Sequence, residues 1–292
     1  MTHQSTRAGI LFTIAAVAVF SVQDAFSRHL AGSYNTLMVV MVRYWFFAAF
    51  VLMLALRQKG GLRAMATPQP LLHVLRAAFL ITEVCVIVQS YTLIGLVQTH
   101  AVFACCPLLI AALAGPLLGE KVPLARWIAI GCGFAGILVI LQPGSGVFNV
   151  LSLLPLLSAL MYALYSLMTR KAAALDASLV SLFCSGVIGA MLMTPIGLFY
   201  WQPISGPDWA FMVLYGLMAV FANWLVIRAY ELAEASALQP FAYLQLVFVA
   251  VIGVVVFNEE IRANVVIGAA IVVSAGMFTL VRSRETRAVE AV

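Results

Sequence analysis

An all-α polytopic membrane protein of ten transmembrane helices is the fold class this sequence predicts, and three observations predict it. Hydrophobic residues make up 64% of the 292 residues and charged residues 9%, where a soluble domain carries about 25% charged side chains. The apolar residues fall into runs of about 20, the length at which a helix crosses roughly 30 Å of hydrocarbon. Within the runs, polar and apolar residues do not alternate with period two, so helices that satisfy their own backbone groups are expected rather than a barrel.

The runs lie at 8–30, 34–56, 72–95, 99–118 and 124–141, and again at 148–169, 178–199, 209–230, 236–257 and 263–281. The first has the outline of a secretory signal, with Arg7 before it and the small residues Ser21 and Ala25 near its end. Read as a span, it completes a set of ten and keeps nearly all the positive charge on one side. With the N-terminus inside, the cytoplasmic ends hold Arg7, Arg57, Lys59, Arg63, Arg76, Lys121, Arg126, Arg170, Lys171, Arg228, Arg282, Arg284 and Arg287, and the outer ends only Arg28 and Arg262. Both termini are therefore expected in the cytoplasm. The net charge of +5 reflects this topology; no continuous basic face with stacking aromatics marks a nucleic-acid partner. Cys85, Cys105, Cys106, Cys132 and Cys184 sit inside apolar runs without CxxC spacing, so no metal site, disulfide framework or cofactor is expected.

Internal repetition comes next. Leu117-Leu118-Gly119-Glu120-Lys121-Val122 joins the fourth and fifth runs, and Val256-Phe257-Asn258-Glu259-Glu260-Ile261 joins the ninth and tenth, at an offset of 139 residues. The same offset pairs Tyr91 with Tyr230. Five is an odd number of crossings, so the second copy lies upside down in the membrane. Two inverted five-helix repeats, 1–146 and 147–292, are expected. Such repeats characterise secondary transporters, whose substrates bind near the midplane between the halves.

On these residues the chain resembles the drug/metabolite transporter superfamily, in its ten-helix form built from two EamA domains. Arg43-Tyr44 opens the second helix as the family's Arg-aromatic pair does, Pro107 falls in the fourth, and Gly119-Glu120-Lys121 precedes a fifth helix containing Gly136. The second copy departs from the pattern, with Leu246 in place of the proline and Asn258 in place of the glycine. The resemblance spans essentially the whole chain and implies a multi-pass carrier in the bacterial inner membrane. Its aromatic-rich later helices are similar to those of bacterial exporters of aromatic and other amino acids, which implies amino-acid export by alternating access. The superfamily also includes carriers of nucleotide sugars, sugar phosphates and cationic drugs.

Ionisable groups inside hydrocarbon face a partner or an aqueous cavity, and Asp24, Arg43 and Glu83 can form one cluster. Either Arg43 neutralises Asp24 or Glu83 and locks the first three helices, with Asp24 also meeting Arg28 one turn away, or Glu83 lines a cavity and receives a substrate ammonium or a proton. On the sixth helix Ser158, Tyr162, Tyr165 and Thr169 form one stripe, which is either packing or cavity wall. Asn223 on the eighth helix, beside Trp224, is the preferred binding residue there, since a buried amide needs partners. Tyr243 and Gln245 lie deep in the ninth helix and are, with Trp224, candidate cavity residues that could bind a ligand, Gln245 hydrogen-bonding either substrate or a neighbouring helix. His100, expected at the outer start of the fourth, is read first as a hydrated interfacial side chain and second as a ligand-binding one. Glu120 and Glu259 in turns are expected to complement the first turn of the following helix. Small residues at Ala129, Gly133 and Gly136, and at Gly115 and Gly119, indicate close helix packing, within the chain or in a homodimer.

No HExxH, P-loop or Ser-His arrangement at membrane depth supports an enzyme, and Gly144-Ser145-Gly146 reads as a loop turn. The competing class is a lipid-handling membrane protein such as a scramblase, which would open laterally to the bilayer where a carrier keeps a closed polar pocket.

Overall fold

The computed structural model describes residues 3–119, 123–142, 149–233 and 235–290. Glu120, Lys121 and the loop containing Gly144-Ser145-Gly146 lie outside the described residues, as do the side chains of Arg126, Arg282, Arg284 and Arg287. Among the described residues the structure is helical throughout, with no strand. In chain order the helices are α1 His3–Ser33, α2 Thr36–Leu56, α3 Pro70–Ile94, α4 Leu96–Phe103, α5 Cys106–Leu118, α6 Leu124–Leu141, α7 Leu154–Ala172, α8 Ser178–Phe199, α9 Gly206–Leu232, α10 Ala235–Ala242, α11 Leu244–Phe257 and α12 Ala263–Glu290. Among the described residues eight spans are long and apolar enough to cross a membrane, and Trp127–Leu141 and Ala263–Thr279 are shorter apolar helices. The chain is a polytopic helical membrane protein.

The fourth and ninth spans, expected unbroken at 99–118 and 236–257, are each two helices. In the fourth, α4 stops at Phe103 and α5 restarts with Pro107 in its first turn. Proline has no N–H to donate, and its ring would collide with the carbonyl four residues earlier if the helix continued. In the ninth span Pro240 sits inside α10 and the break falls at Tyr243, with Leu246 where the first half has its proline. The offset of 139 carries Ala104, at the first break, onto Tyr243, at the second. The departure at Asn258 also has a physical reason: Gly119 ends α5 at φ 71° and Asn258 ends α11 at φ 52°. Asparagine is among the few side-chain-bearing residues that tolerate this left-handed cap.

Packing joins the two halves throughout. α1 lies along α9, α2 along α8, α3 along α7 and α6 along α12. Shifting each number to its counterpart in the other half turns the α1–α9 pair into the α7–α3 pair and leaves the other two pairs unchanged. Where α6 meets α12, a Cβ on Gly136 would stand 2.9 Å from the Gly268 carbonyl oxygen, and one on Gly268 would stand 2.6 Å from that of Gly136. The backbones touch, so the small residues of this stripe serve packing within the chain.

Candidate functional site

Two apolar cores flank the centre of the bundle, one built mainly on α2, α3, α8 and α9 and the other on α4 to α7 and α12. Between them is a cavity of about 280 Å³, walled by α1, α2, α3, α4, α7, α8, α9 and α11. Its lining mixes both signs of charge with aromatic rings, a combination that hydrocarbon does not tolerate without partners.

Glu83, at the middle of α3, is 6% exposed and accepts a hydrogen bond from Ser158 Oγ of α7 at 3.1 Å. Arg43 of α2 lines the same cavity as Glu83 and Asp24 and brings the positive charge to its wall. Asp24 projects from α1 toward the start of the broken fourth span. Its Oδ2 lies 3.1 Å from His100 Nε2 and accepts from Gln245 Nε2 at 3.2 Å. His100 Nδ1 faces the Leu96 carbonyl at 3.1 Å, and the imidazole stacks on Tyr91, 5.3 Å between centroids and 5° from parallel. A carbonyl can only accept, so Nδ1 carries a proton, and Nε2 then opposes a carboxylate.

The placement of His100 corrects the interfacial expectation. The α3–α4 turn is the single residue Gly95, at φ 90°, so the fourth span begins at Leu96 and His100 falls in its second turn, 7% exposed. Asp24 is likewise not joined to Arg28; Arg28 pairs with Glu259 instead. Tyr162, Tyr165, Asn223 and Gln245 all line the cavity with Asp24, Arg43, Glu83 and His100. The Asn223 amide also donates back to the Ala219 carbonyl at 2.8 Å. Two residues singled out in the sequence lie elsewhere. Trp224 turns outward, 40% exposed, against Phe12 and Phe221. The Tyr243 hydroxyl lies against Gly276 of α12, where an added Cβ would come within 1.9 Å of it. No grouping of metal-ligating side chains occurs among the described residues.

Arg76 and Ser185 escaped the sequence reading. Arg76, among the charges expected at the cytoplasmic ends, stands in the second turn of α3 and is 1% exposed, with its Nη2 donating to the Ser181 carbonyl and Ser185 Oγ of α8. A lone arginine several residues inside an apolar run was the available signal.

A polar cavity walled at mid-bundle by eight helices, two of them parts of spans broken at corresponding positions, defines a membrane carrier rather than an enzyme. The chain belongs to the EamA-like transporter family, whose profile matches residues 7–142 and again 150–281, and it is a multi-pass protein of the cell membrane. Among curated relatives, it is 27% identical over 278 residues to the S-adenosylmethionine uptake transporter of Rickettsia prowazekii (strain Madrid E), covering 95% of this chain and 94% of the relative. It is 31% identical over 267 residues to the riboflavin transporter of Brucella anthropi, covering 86% and 90%. A riboflavin transporter of Vibrio cholerae serotype O1 is 29% identical, covering 91% and 90%. A solved crystal structure matches with TM-score 0.63 at 17% identity, covering 98% of this chain and 99% of that one, and shares the fold.

Proposed function

We propose that this transporter moves a small metabolite bearing an amino-acid end and a flat ring, with S-adenosylmethionine as the type of substrate, through the central cavity by alternating access. The observation that carries the reading is the lining itself. Carboxylates at Asp24 and Glu83 and a guanidinium at Arg43 suit a zwitterion, while Tyr91, Phe103, Tyr162 and Tyr165 offer faces for a ring or a sulfonium. The expectation of amino-acid transport enters here in that wider form. The direction proposed is uptake, in keeping with the name of the Rickettsia relative and against the export expected from sequence. The halves 1–146 and 147–292 act as inverted repeats with both termini cytoplasmic, and exchange of their conformations moves the cavity's opening from one face to the other.

Proteoliposomes containing the purified protein test this with labelled S-adenosylmethionine, phenylalanine, tryptophan and riboflavin, with and without a pH gradient. Saturable uptake of S-adenosylmethionine, inhibited by free amino acids and lost in Glu83→Gln, is the expected result. Riboflavin uptake that S-adenosylmethionine does not inhibit would replace this reading with a neutral-ring carrier, which the Brucella relative favours. Full activity in a well-folded Glu83→Gln variant would remove Glu83 from the site.

A further inference from the structure

Outside the cavity lining, Arg76 is a buried cation with no anion in contact. Arg76 uses Nη2 on α8, while its Nε and Nη1 are buried with no hydrogen-bond partner. The nearest acid acting on it is Asp176, whose Oδ2 already accepts from Thr67, Gln69 and His73. The guanidinium carbon sits 5.3 Å from the Tyr165 ring centroid, and both Tyr165 and Ser185 belong to the cavity wall. Arg76 therefore stands directly behind the wall, seven residues from Glu83 on α3, or about 10 Å along the helix axis. Leaving two donors of a charged group unmatched in a low-dielectric interior is costly unless a partner arrives during the working cycle.

We propose that Arg76 is the anion-recognising residue at the α3 N-terminal end of the cavity, binding the carboxylate of a substrate whose ammonium end faces Glu83. This rests on the zwitterionic reading above. A guanidinium N–H makes a charge-assisted hydrogen bond to a carboxylate, and Nε and Nη1 each hold such a donor unmatched, on different edges of the group, so a carboxylate is met through one of them at a time. Arg43 shares the cavity wall with the acids Asp24 and Glu83, whereas the one acid near Arg76, Asp176, is engaged by Thr67, Gln69 and His73.

The test compares matched pairs that differ only in the anionic group, binding to the full-length protein in nanodiscs: S-adenosylmethionine against its decarboxylated form, and flavin mononucleotide against riboflavin. The wild type is expected to prefer S-adenosylmethionine by about 10- to 100-fold, the range of a charge-assisted hydrogen-bonded pair. Arg76→Gln should abolish that preference by weakening the carboxylate-bearing member alone, and Arg76→Lys should retain part of it. Should S-adenosylmethionine fail to bind at all, the substrate reading is lost and the flavin pair decides. A preference for the phosphate-bearing member that disappears in Arg76→Gln keeps Arg76 as an anion site. Equal weakening of both members, or a wild type with no preference for the anionic member in either pair, overturns the proposal. The wild-type measurement alone can do so if the Gln variant does not fold.

Discussion

At the end of the bundle where α3 turns into α4, the Glu259 carboxylate pairs with Arg28 of α1 and accepts from the Leu96 and Val97 amides at 2.7 and 2.9 Å. At the opposite end, about 38 Å away along the 25 residues of α3, the Asp176 carboxylate accepts from Thr67 at 2.8 Å and Gln69 at 3.2 Å and lies 3.0 Å from His73 Nε2. Each contact joins the first half of the chain to the second. The Glu259 end uses a permanent cation and the exposed amides of a helix N-terminus, both of which favour negative charge. The Asp176 end uses an imidazole and neutral donors gathered on one oxygen. Their chemistry makes the Asp176 end the easier of the two to release.

The first way to break the comparison is Glu259→Gln. It removes the charge that Arg28 needs, in a place where the two side chains are only 13% and 20% exposed and Arg28 also lies 4.1 Å over the Phe257 ring. Stranding a half-buried cation costs about 3 kcal/mol, so thermal unfolding should shift down strongly and uptake should fall more than tenfold. Charge reversal of the pair, with Arg28→Glu added to Glu259→Arg, should not restore uptake, because the Leu96 and Val97 amides still require an acceptor. Full recovery would show that the ion pair alone fastens this end. A Glu259→Gln loss no larger than that of Asp176→Asn would erase the distinction between the ends.

The fold was largely legible because lipid imposes a simple rule: runs of the right length, free of charge, cross as helices. The turn signature at Gly119 and Asn258 marked the repeat, since both residues answer the same left-handed cap. What stayed hidden was short-range geometry. The breaks at Ala104-Cys105 and Tyr243 occupy one or two apolar residues, invisible to any hydropathy window. His100 looks interfacial in a hydropathy reading, but the single residue Gly95 turns α3 into α4 and carries it inward. Arg76 was hidden by its nearness to a basic loop. Glu83, Tyr162, Tyr165 and Asn223 were visible as polar or aromatic groups at membrane depth, whereas Trp224 and Tyr243 have the same chemistry but face outward or into packing, a difference set by helix rotation.

Gly95→Ala attacks the same end as Glu259→Gln through the backbone. At φ 90° an L-residue is strained, and the new Cβ would lie 2.9 Å from the Glu259 carboxyl carbon. The expected destabilisation is about 1 to 3 kcal/mol. Adding Glu259→Gln to Gly95→Ala should cost less than the sum of the two changes, since both act on one contact; additive unfolding shifts would mean that Gly95 matters for the turn alone.

The smallest effect belongs to the Asp176 end and carries a pH signature. Burial of Asp176, between α7 and α8, pushes its carboxyl up, but hydrogen bonds from His73, Thr67 and Gln69 outweigh burial and hold it below the ordinary value of 3.8. A depressed folded pKa means that the contact stabilises the protein fully above the ordinary carboxylate pKa and is lost as pH falls through the folded one. Asp176→Asn should therefore lower stability by about 1 kcal/mol near neutrality, and the gap to wild type should close below pH 4. Thermal unfolding of both proteins between pH 3 and pH 7 measures this directly. The same series on Glu259→Gln should show a larger gap near neutrality. An Asp176→Asn gap that widens on acidification would mean that protonation strengthens this end, and the Asp176 contact would then be the firmer closure under acid.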